Sequence, residues 1–407
     1  MSNPQNRTVL YVTRDIERAL GAMPSAKYQI VTNGTPYAEA MKKQYPDFVH
    51  LIDVETDILS TLEILKHDKT MKLMARIEAS IVVFKNNIQI EAVLKENGWK
   101  LLNPPAELSE KIENKLSQIE FLGTVGQEFL PETAVLKASE LEWNGEPVVL
   151  QWAHGHTGDG TILINSEKIL ADISQKFPDR IARVSRYVNG PSFTMNIVLN
   201  GVNTLLENLS YQITGVLPFT DNVFATVGND WSLPHSLLDQ NELTYVSRMA
   251  HAIAEKLRNA GWQGLFGIDF IRDDEFGKIF LIEINARQPA STTFESLLQQ
   301  ENRKHGVVGD TTFEAHIKAL TGNADAEPLI IVNDGAQIIQ RITKNIQNVP
   351  EDVPGSLELA GYETISYSNT EYNADLLRIQ SSRGIMEAHN KFNKRGKEIV
   401  EIITNAI

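Results

Sequence analysis

Two strand-like runs near residue 270 hold the side chains best placed for chemistry. In GLFGIDFIRD successive side chains point to opposite faces, so Gly267, Asp269 and Ile271 share one face while Ile268 and Phe270 share the other. In KIFLIEINAR the same alternation gathers Glu283, Asn285 and Arg287 opposite Phe280, Ile282 and Ile284, and residues 273–277 supply the turn. Unpaired carboxylates on strands this apolar are costly to bury, so a cation belongs beside Asp269 and Glu283. Two carboxylates and an amide are hard oxygen ligands suited to Mg²⁺, which keeps waters and shares its shell with substrate phosphates. Arg287 suits a phosphate or carboxylate oxygen. The same spacing also fits an ordinary hairpin with its polar face in solvent and Arg287 paired to Glu283.

Other segments carry weaker signals. PVVLQWAHGHTGDGTILI joins two strand-like runs through a loop holding Gly155, Gly158 and Gly160. Glycines let main-chain amides approach phosphate oxygens, and Thr157 and Thr161 add hydroxyl donors, although a loop of this length needs glycine for its geometry anyway. In SEKIENKLSQIEFL, Lys111 and Lys115 lie four apart on one helix face, the usual place for solvated lysines. VSRYVNGPSFTMNIVLNG reads as strand, turn at Asn189-Gly190-Pro191 and strand, for which a hairpin is an adequate account. Its residues 186–188 could instead offer a carbonyl and an amide to a purine edge.

These segments need a scaffold, and 407 residues with 42% apolar and 22% charged content bury a large core in two to four folding units. From residue 8 to 103 short apolar runs (TVLYVT, YQIVT, FVHLI, ASIVVF, KLL) alternate with helix-like stretches such as 35–44 and 86–97, the pattern of a parallel sheet wrapped by helices. No glycine-rich turn follows the first strand, so the dinucleotide fingerprint is missing. Asn103-Pro104-Pro105 ends this unit, and Ser109 is the expected N-cap of a helix reaching about residue 122. An α+β lobe follows, then an amphipathic helix over about 243–260, the carboxylate hairpin, and a tail of strand-like runs closed by a charged helix over about 386–403.

A net charge of −14 disfavours nucleic acid and anionic membrane as partners. The absence of cysteine excludes disulfides, thiolate metal sites and a cysteine nucleophile. No apolar run approaches a membrane span and residues 1–8 show no signal pattern, so the expected compartment is the cytoplasm.

Taken in order, these pieces resemble the ATP-grasp superfamily over about residues 8–320. GIDF-x(12)-EINAR is similar to the metal hairpin of D-alanine:D-alanine ligases and biotin carboxylases. The resemblance implies that Asp269, Glu283 and Asn285 hold two Mg²⁺ ions, or Mn²⁺, bridging ATP phosphates, with Arg287 near the acceptor and γ-phosphate. Asn114-Lys115 resembles the pair that opens the lid lobe, which assigns Lys115 to an ATP phosphate and returns Lys111 to the surface. Residues 154–161, with His156, Thr157 and Gly158, would be the glycine lid over the triphosphate. Ser185-Arg186-Tyr187-Val188 resembles the adenine hinge, with Arg186 and Val188 acting through their backbone. GPSFT resembles the ligase motif in which an acidic residue follows Gly-Pro.

Two positions depart from the family pattern. Gln151 stands where relatives carry a second phosphate-binding lysine, leaving His154, His156 or Arg186 to supply the charge or the grip on nucleotide weaker. Ser192 stands where ligases often carry a ribose-binding glutamate. The implied architecture is an α/β and α+β ATP-grasp fold: an N-terminal parallel-sheet domain over 1–106, a small lid lobe over 107–187, a large lobe with the metal site over 188–327, and a small mixed C-terminal domain over 328–407.

The expected activity is ATP-dependent ligation of a small-molecule carboxylate to an amine through an acyl phosphate. Biotin-carboxylase-like bicarbonate activation and a non-catalytic ATP-binding protein are the alternatives. The acid, the nucleophile and the oligomeric state, a homodimer included, are left open.

Overall fold

The computed structural model describes residues 8–53, 58–154, 160–323 and 325–406. Five short apolar strands, β1 (Val9–Val12), β2 (Tyr28–Asn33), β3 (Val49–Ile52), β4 (Ser80–Val83) and β5 (Lys100–Leu101), pair in parallel in the order β3-β2-β1-β4-β5. They are apolar on both faces because both are covered: Leu10, Val12, Ile81 and Val83 belong to one core, Val9, Tyr11, Ile30 and Val82 to another. Helices start where side chains satisfy their first amides. Thr35 accepts from the amide of Ala38 ahead of the helix Pro36–Gln44, and Asn87 from that of Ile90 ahead of Ile88–Glu96. The strand order reverses between β1 and β4, which opens a crevice beyond their carboxyl ends.

The helix expected to start at Ser109 is two helices, Ala106–Glu113 and Ser117–Leu122, and Ser109 is buried inside the first. Asn114 makes the break. Its side-chain oxygen accepts from the amides of Leu116 and Ser117, a local bond that competes with the helical ladder. Lys111 and Lys115 therefore do not share one continuous helix face; Lys111 is exposed and Lys115 buried.

The second sheet is antiparallel, in the order β6-β9-β7-β8, formed by β6 (Thr133–Lys137), β7 (Val148–Trp152), β8 (Thr161–Ile164) and β9 (Ile181–Arg186). Leu150, Trp152, Ala182 and Val184 pack there on Leu170 and Ile173 of the helix Glu167–Lys176.

The third sheet has nine strands: β10 (Ser192–Asn200), β11 (Asn203–Leu205), β12 (Leu209–Thr214), β13 (Thr226–Asp230), β14 (Gly264–Arg272), β15 (Ile279–Asn285), β16 (Ala336–Arg341), β17 (Glu363–Ser366) and β18 (Asp375–Ser381). Its order is β15-β14-β10-β12-β13-β16-β18-β17, with β11 paired to β10, so the C-terminal strands prolong the sheet that holds the carboxylate hairpin. One face carries Phe193, Ile213, Val227, Phe270 and Ile338 in the largest core, with Val246, Met249, Ile253 and Leu257 of the helix Gln240–Asn259 in the same core.

Two other expectations are corrected here. β9 and β10 belong to different sheets, so residues 184–201 are a crossing between sheets and not a hairpin. The crossing needs glycine, because a Cβ on Gly190 would lie 1.9 Å from the carbonyl oxygen of Arg272. The C-terminal helix is Lys394–Asn405, capped by Asn393; the residues before it form the small pair β19 (Met386–Ala388) and β20 (Lys391–Phe392). Among the described residues no helix is long and apolar enough to cross a membrane.

Candidate active site

Strand register brings the two carboxylates together. β14 and β15 are antiparallel with Asp269 opposite Glu283 and Gly267 opposite Asn285, and the ladder shifts just beyond Asp269. Asp269 accepts from the Thr194 hydroxyl at 2.7 Å and the Asn285 amide at 2.9 Å, while Thr194 is held by Gln212 at 2.5 Å. Glu283 takes the buried ammonium of Lys115 at 3.1 Å. Burial, and then the neighbouring Glu283, push the Asp269 carboxyl up to about 6. That rise marks negative charge short of a counterion, and a hard divalent cation would supply one. Among the described residues no group of three or more His, Asp or Glu side chains is placed to hold a metal. Two carboxylates and an amide fit Mg²⁺ only if phosphates and water complete its shell.

Arg287 lies just past the end of β15 and is paired with Glu113, not with Glu283. Glu113 also takes Lys85 at 2.6 Å. Burial works to raise the Glu113 carboxyl, but Arg287 and Lys85 outweigh it and hold it below the usual range. The bridge ties the end of the helix Ala106–Glu113 and the segment after β4 to the carboxylate hairpin.

On the lid side, Gln151 is buried and donates to the Thr161 hydroxyl at 3.3 Å. Of the cations suggested to compensate for it, Arg186 is occupied by Asp273 at 2.7 Å, and His154 is exposed beside Glu110. His156, Thr157 and Gly158 lie outside the described residues. The cation actually opposite Gln151 is Arg183, its cross-strand partner in the β7–β9 ladder. Arg183 is buried, donates to the Ile282 carbonyl at 3.1 Å and keeps an Nε with no partner among the described residues. Burial lowers its guanidinium to about 10, against the pull of Glu283. In the link between the sheets, the amide of Arg186 bonds to the Glu132 carbonyl and that of Tyr187 to Pro147. No acceptor among the described residues reaches the amide of Val188, which leaves it the next donor along.

All the described residues of the set read from the sequence line one cavity of about 400 Å³: Lys115, Gln151, the 186–188 link, Ser192, the Asp269-Glu283-Asn285 group and Arg287. Sequence reasoning missed Thr194, Gln212 and the Glu113 bridge. Thr194 sits in the GPSFT motif two residues after Ser192, on the same strand face, and that periodicity could have found it.

Residues 112–291 match the ATP-grasp domain family. That segment is an ATP-grasp domain. The ATP-grasp fold extends beyond the matched segment, as three solved structures show. The N5-carboxyaminoimidazole synthetase of Staphylococcus aureus, complexed with ADP, superposes over 98% of this chain and 97% of its own with a TM-score of 0.64 at 14% identity. The L-amino acid ligase of Bacillus licheniformis does so over 98% of both chains, with a TM-score of 0.64 at 12% identity. A Rhizobium etli pyruvate carboxylase matches 93% of this chain but 36% of its own length, with a TM-score of 0.61 at 14% identity. At such identities the ATP-grasp likeness is one of fold. No curated protein matches the chain.

Proposed function

We propose that the chain is an ATP-dependent ligase that activates a carboxylate as an acyl phosphate and joins it to an amine or similar nucleophile. The observation that carries this is the Asp269–Glu283 pair, facing across one ladder and short of positive charge at a cavity wall that also holds Lys115 and Arg287. In the first step a carboxylate oxygen bonds to the γ-phosphorus, the bond to the β,γ-bridging oxygen breaks, and ADP leaves. In the second the amine nitrogen bonds to the acyl carbon, phosphate leaves, and the amine gives up a proton.

Asp269, Glu283 and Asn285 would hold Mg²⁺ in two positions, with Mn²⁺ as a substitute, and the ions would neutralise phosphate charge when bound. Lys115 and Arg183 add fixed positive charge on the lid side, and Gln151 adds an amide donor. The Arg186 carbonyl and Val188 amide would take the adenine edge beside Tyr187, and Ser192 a ribose hydroxyl. His156, Thr157 and Gly158 would cover the triphosphate. Arg287, steadied by Glu113, would orient the acid and the transferring phosphoryl group. Positioning and charge neutralisation dominate such transfer, so no protein nucleophile is required. The four-unit division at about residues 106, 187 and 327 belongs to the same proposal, as does a cytoplasmic location.

The test is ADP release from Mg²⁺ and ATP across a library of acids and amines. Turnover with an acid and an amine, lost in Asp269→Ala and Glu283→Ala with the fold retained, is the expected result. ADP release needing only bicarbonate and biotin would replace ligation by carboxyl transfer, and near-normal turnover in both variants would overturn the site.

A further inference from the structure

The cavity is far more cationic than the chain. Seven of its lining side chains are Lys or Arg and three are acidic, in a protein of net charge −14. Most of the seven are accounted for. Lys115 faces Glu283, Arg186 faces Asp273, Arg287 faces Glu113, and Arg341 lies 3.3 Å from Asp375. Arg183 lies opposite Gln151 on the lid side. Arg18 and Arg378 remain.

Arg18 follows β1, at the crevice where the parallel sheet reverses direction, the place where open α/β sheets bind ligands. Its guanidinium is 4.7 Å from the centre of the Phe84 ring, which follows β4 on the other side of that crevice. Stacking leaves the N–H edge free, and no acceptor among the described residues takes it. The nearest carboxylate, Glu17, stands at 3.9 Å and already accepts the Tyr367 hydroxyl at 2.8 Å. The backbone is nevertheless fixed, because the Arg18 carbonyl accepts from Gln288 at 2.7 Å and Thr293 at 3.3 Å. Gln288 is the residue after Arg287, so Arg18 is docked directly on the carboxylate hairpin's continuation.

Arg378 shares with Arg18 the wall of a small side recess. It is 2% exposed; its Nε and Nη1 donate to Tyr367 and Gln337, while Nη2 has no hydrogen-bond partner among the described residues and lies 3.6 Å from Asp375. It stands on β18, five strands along from β14 or roughly 24 Å measured along the sheet, well away from the carboxylate pair.

We propose that Arg18, with Arg378, forms an anion subsite at the N-terminal wall of the cavity, and that the acid substrate carries a second anionic group there, a carboxylate or a phosphate, remote from the carboxylate that is activated. That this dianion is the acid substrate rests on the proposed ligase activity; the anion subsite itself does not.

The test is calorimetric titration of the full chain with propionate, octanoate and dodecanoate against their dianionic counterparts succinate, suberate, dodecanedioate and 3-phosphonopropionate, a series that runs from short to long separations of the two anionic groups. Each titration is run with and without Mg²⁺ and β,γ-imido-ATP. The wild type should bind at least one dianion tenfold or more tightly than the matching monoacid. Arg18→Gln should bring that preference within twofold, and Arg18→Lys should keep part of it. Melting and imido-ATP binding show whether each variant is folded. The succinate and phosphonate arms tell carboxylate from phosphate. A wild type with no dianion preference, or a preference that survives in Arg18→Gln, overturns the subsite. An Arg18-dependent preference with no ADP release on any acid would leave the subsite standing and remove the ligase proposal; the reverse pattern would do the opposite.

Discussion

Replacing Asp269 by Asn should make the ligand-free protein more stable while removing the divalent-cation binding proposed for this carboxylate. The Asp269 carboxyl is raised from 3.8 to about 6 by burial and by Glu283. A carboxyl raised in this way holds its proton more tightly in the folded chain than in the unfolded one. The penalty for ionising it is therefore absent in acid and complete above about pH 6. About two pH units at ~1.4 kcal/mol each place it near 3 kcal/mol at neutral pH.

Asparagine has the same shape and no charge. Its oxygen can still accept from Thr194, and Asn285 need only turn its amide to keep the second bond. Exchanging charged for neutral acceptors loses about 1 kcal/mol, so a net gain of about 2 kcal/mol is expected near pH 7.5. Urea unfolding of chelator-treated wild type and Asp269→Asn at about pH 7.5 and about pH 4 reads this directly, and the gain should vanish at the lower pH as the wild-type carboxyl protonates. A variant no more stable than wild type near neutrality, or a gain independent of pH, would refute the idea that this carboxylate is held short of a counterion.

Three further outcomes follow from other buried charges. Glu113→Gln leaves Arg287 and Lys85 without their shared carboxylate and should lower stability by about 3–5 kcal/mol in urea melts. Because Glu113 is held below the usual carboxylate range, the wild-type advantage should persist above about pH 4.5 and fade as acid protonates it. Gln151→Lys sets a second cation directly across from Arg183, so it should destabilise by about 1 kcal/mol without tightening ATP binding, and adding Arg183→Gln should restore the loss; calorimetry and melting read both. His316 is fully buried, accepts from the amide of Leu265 and is pushed down to about 3 by burial, so it stays neutral when folded. Stability should fall as pH drops from about 6.5 toward 3, with a slope of about one proton that His316→Asn removes.

How much of this was legible in the sequence depended on how local each signal is. The carboxylate pair was readable because side-chain alternation is a property of the strand itself, but the register shift beside Asp269 that sets it opposite Glu283, and puts Leu281 opposite Phe270, was not. The five strands of the first sheet were readable from runs apolar on both faces. The break at Asn114 was not, because Asn fits a helix surface as well as a cap until its oxygen finds two amides. Strand, turn and strand look alike in sequence whether the strands pair or cross between sheets, and only the approach of Gly190 to Arg272 distinguishes them. Glu113 and Arg18 gave no signal at all. Each is an ordinary charged residue on a short helix, and its partners lie far away in sequence.

The sheet shared by the carboxylate hairpin and the C-terminal strands has a consequence for how this protein can change. Ser192 and Thr194, Gln212 and Thr214, Asp269 and Ile271, Gln337, Ile339 and Arg341 face the cavity, while Phe193, Ile213, Phe270 and Ile338 between them face the core. Every second position on these strands can be rewritten without disturbing the packing beneath it, much as type can be reset on a fixed press. A new substrate would need only a few such exchanges, whereas shifting any strand by one residue would turn its core outward and its chemistry inward.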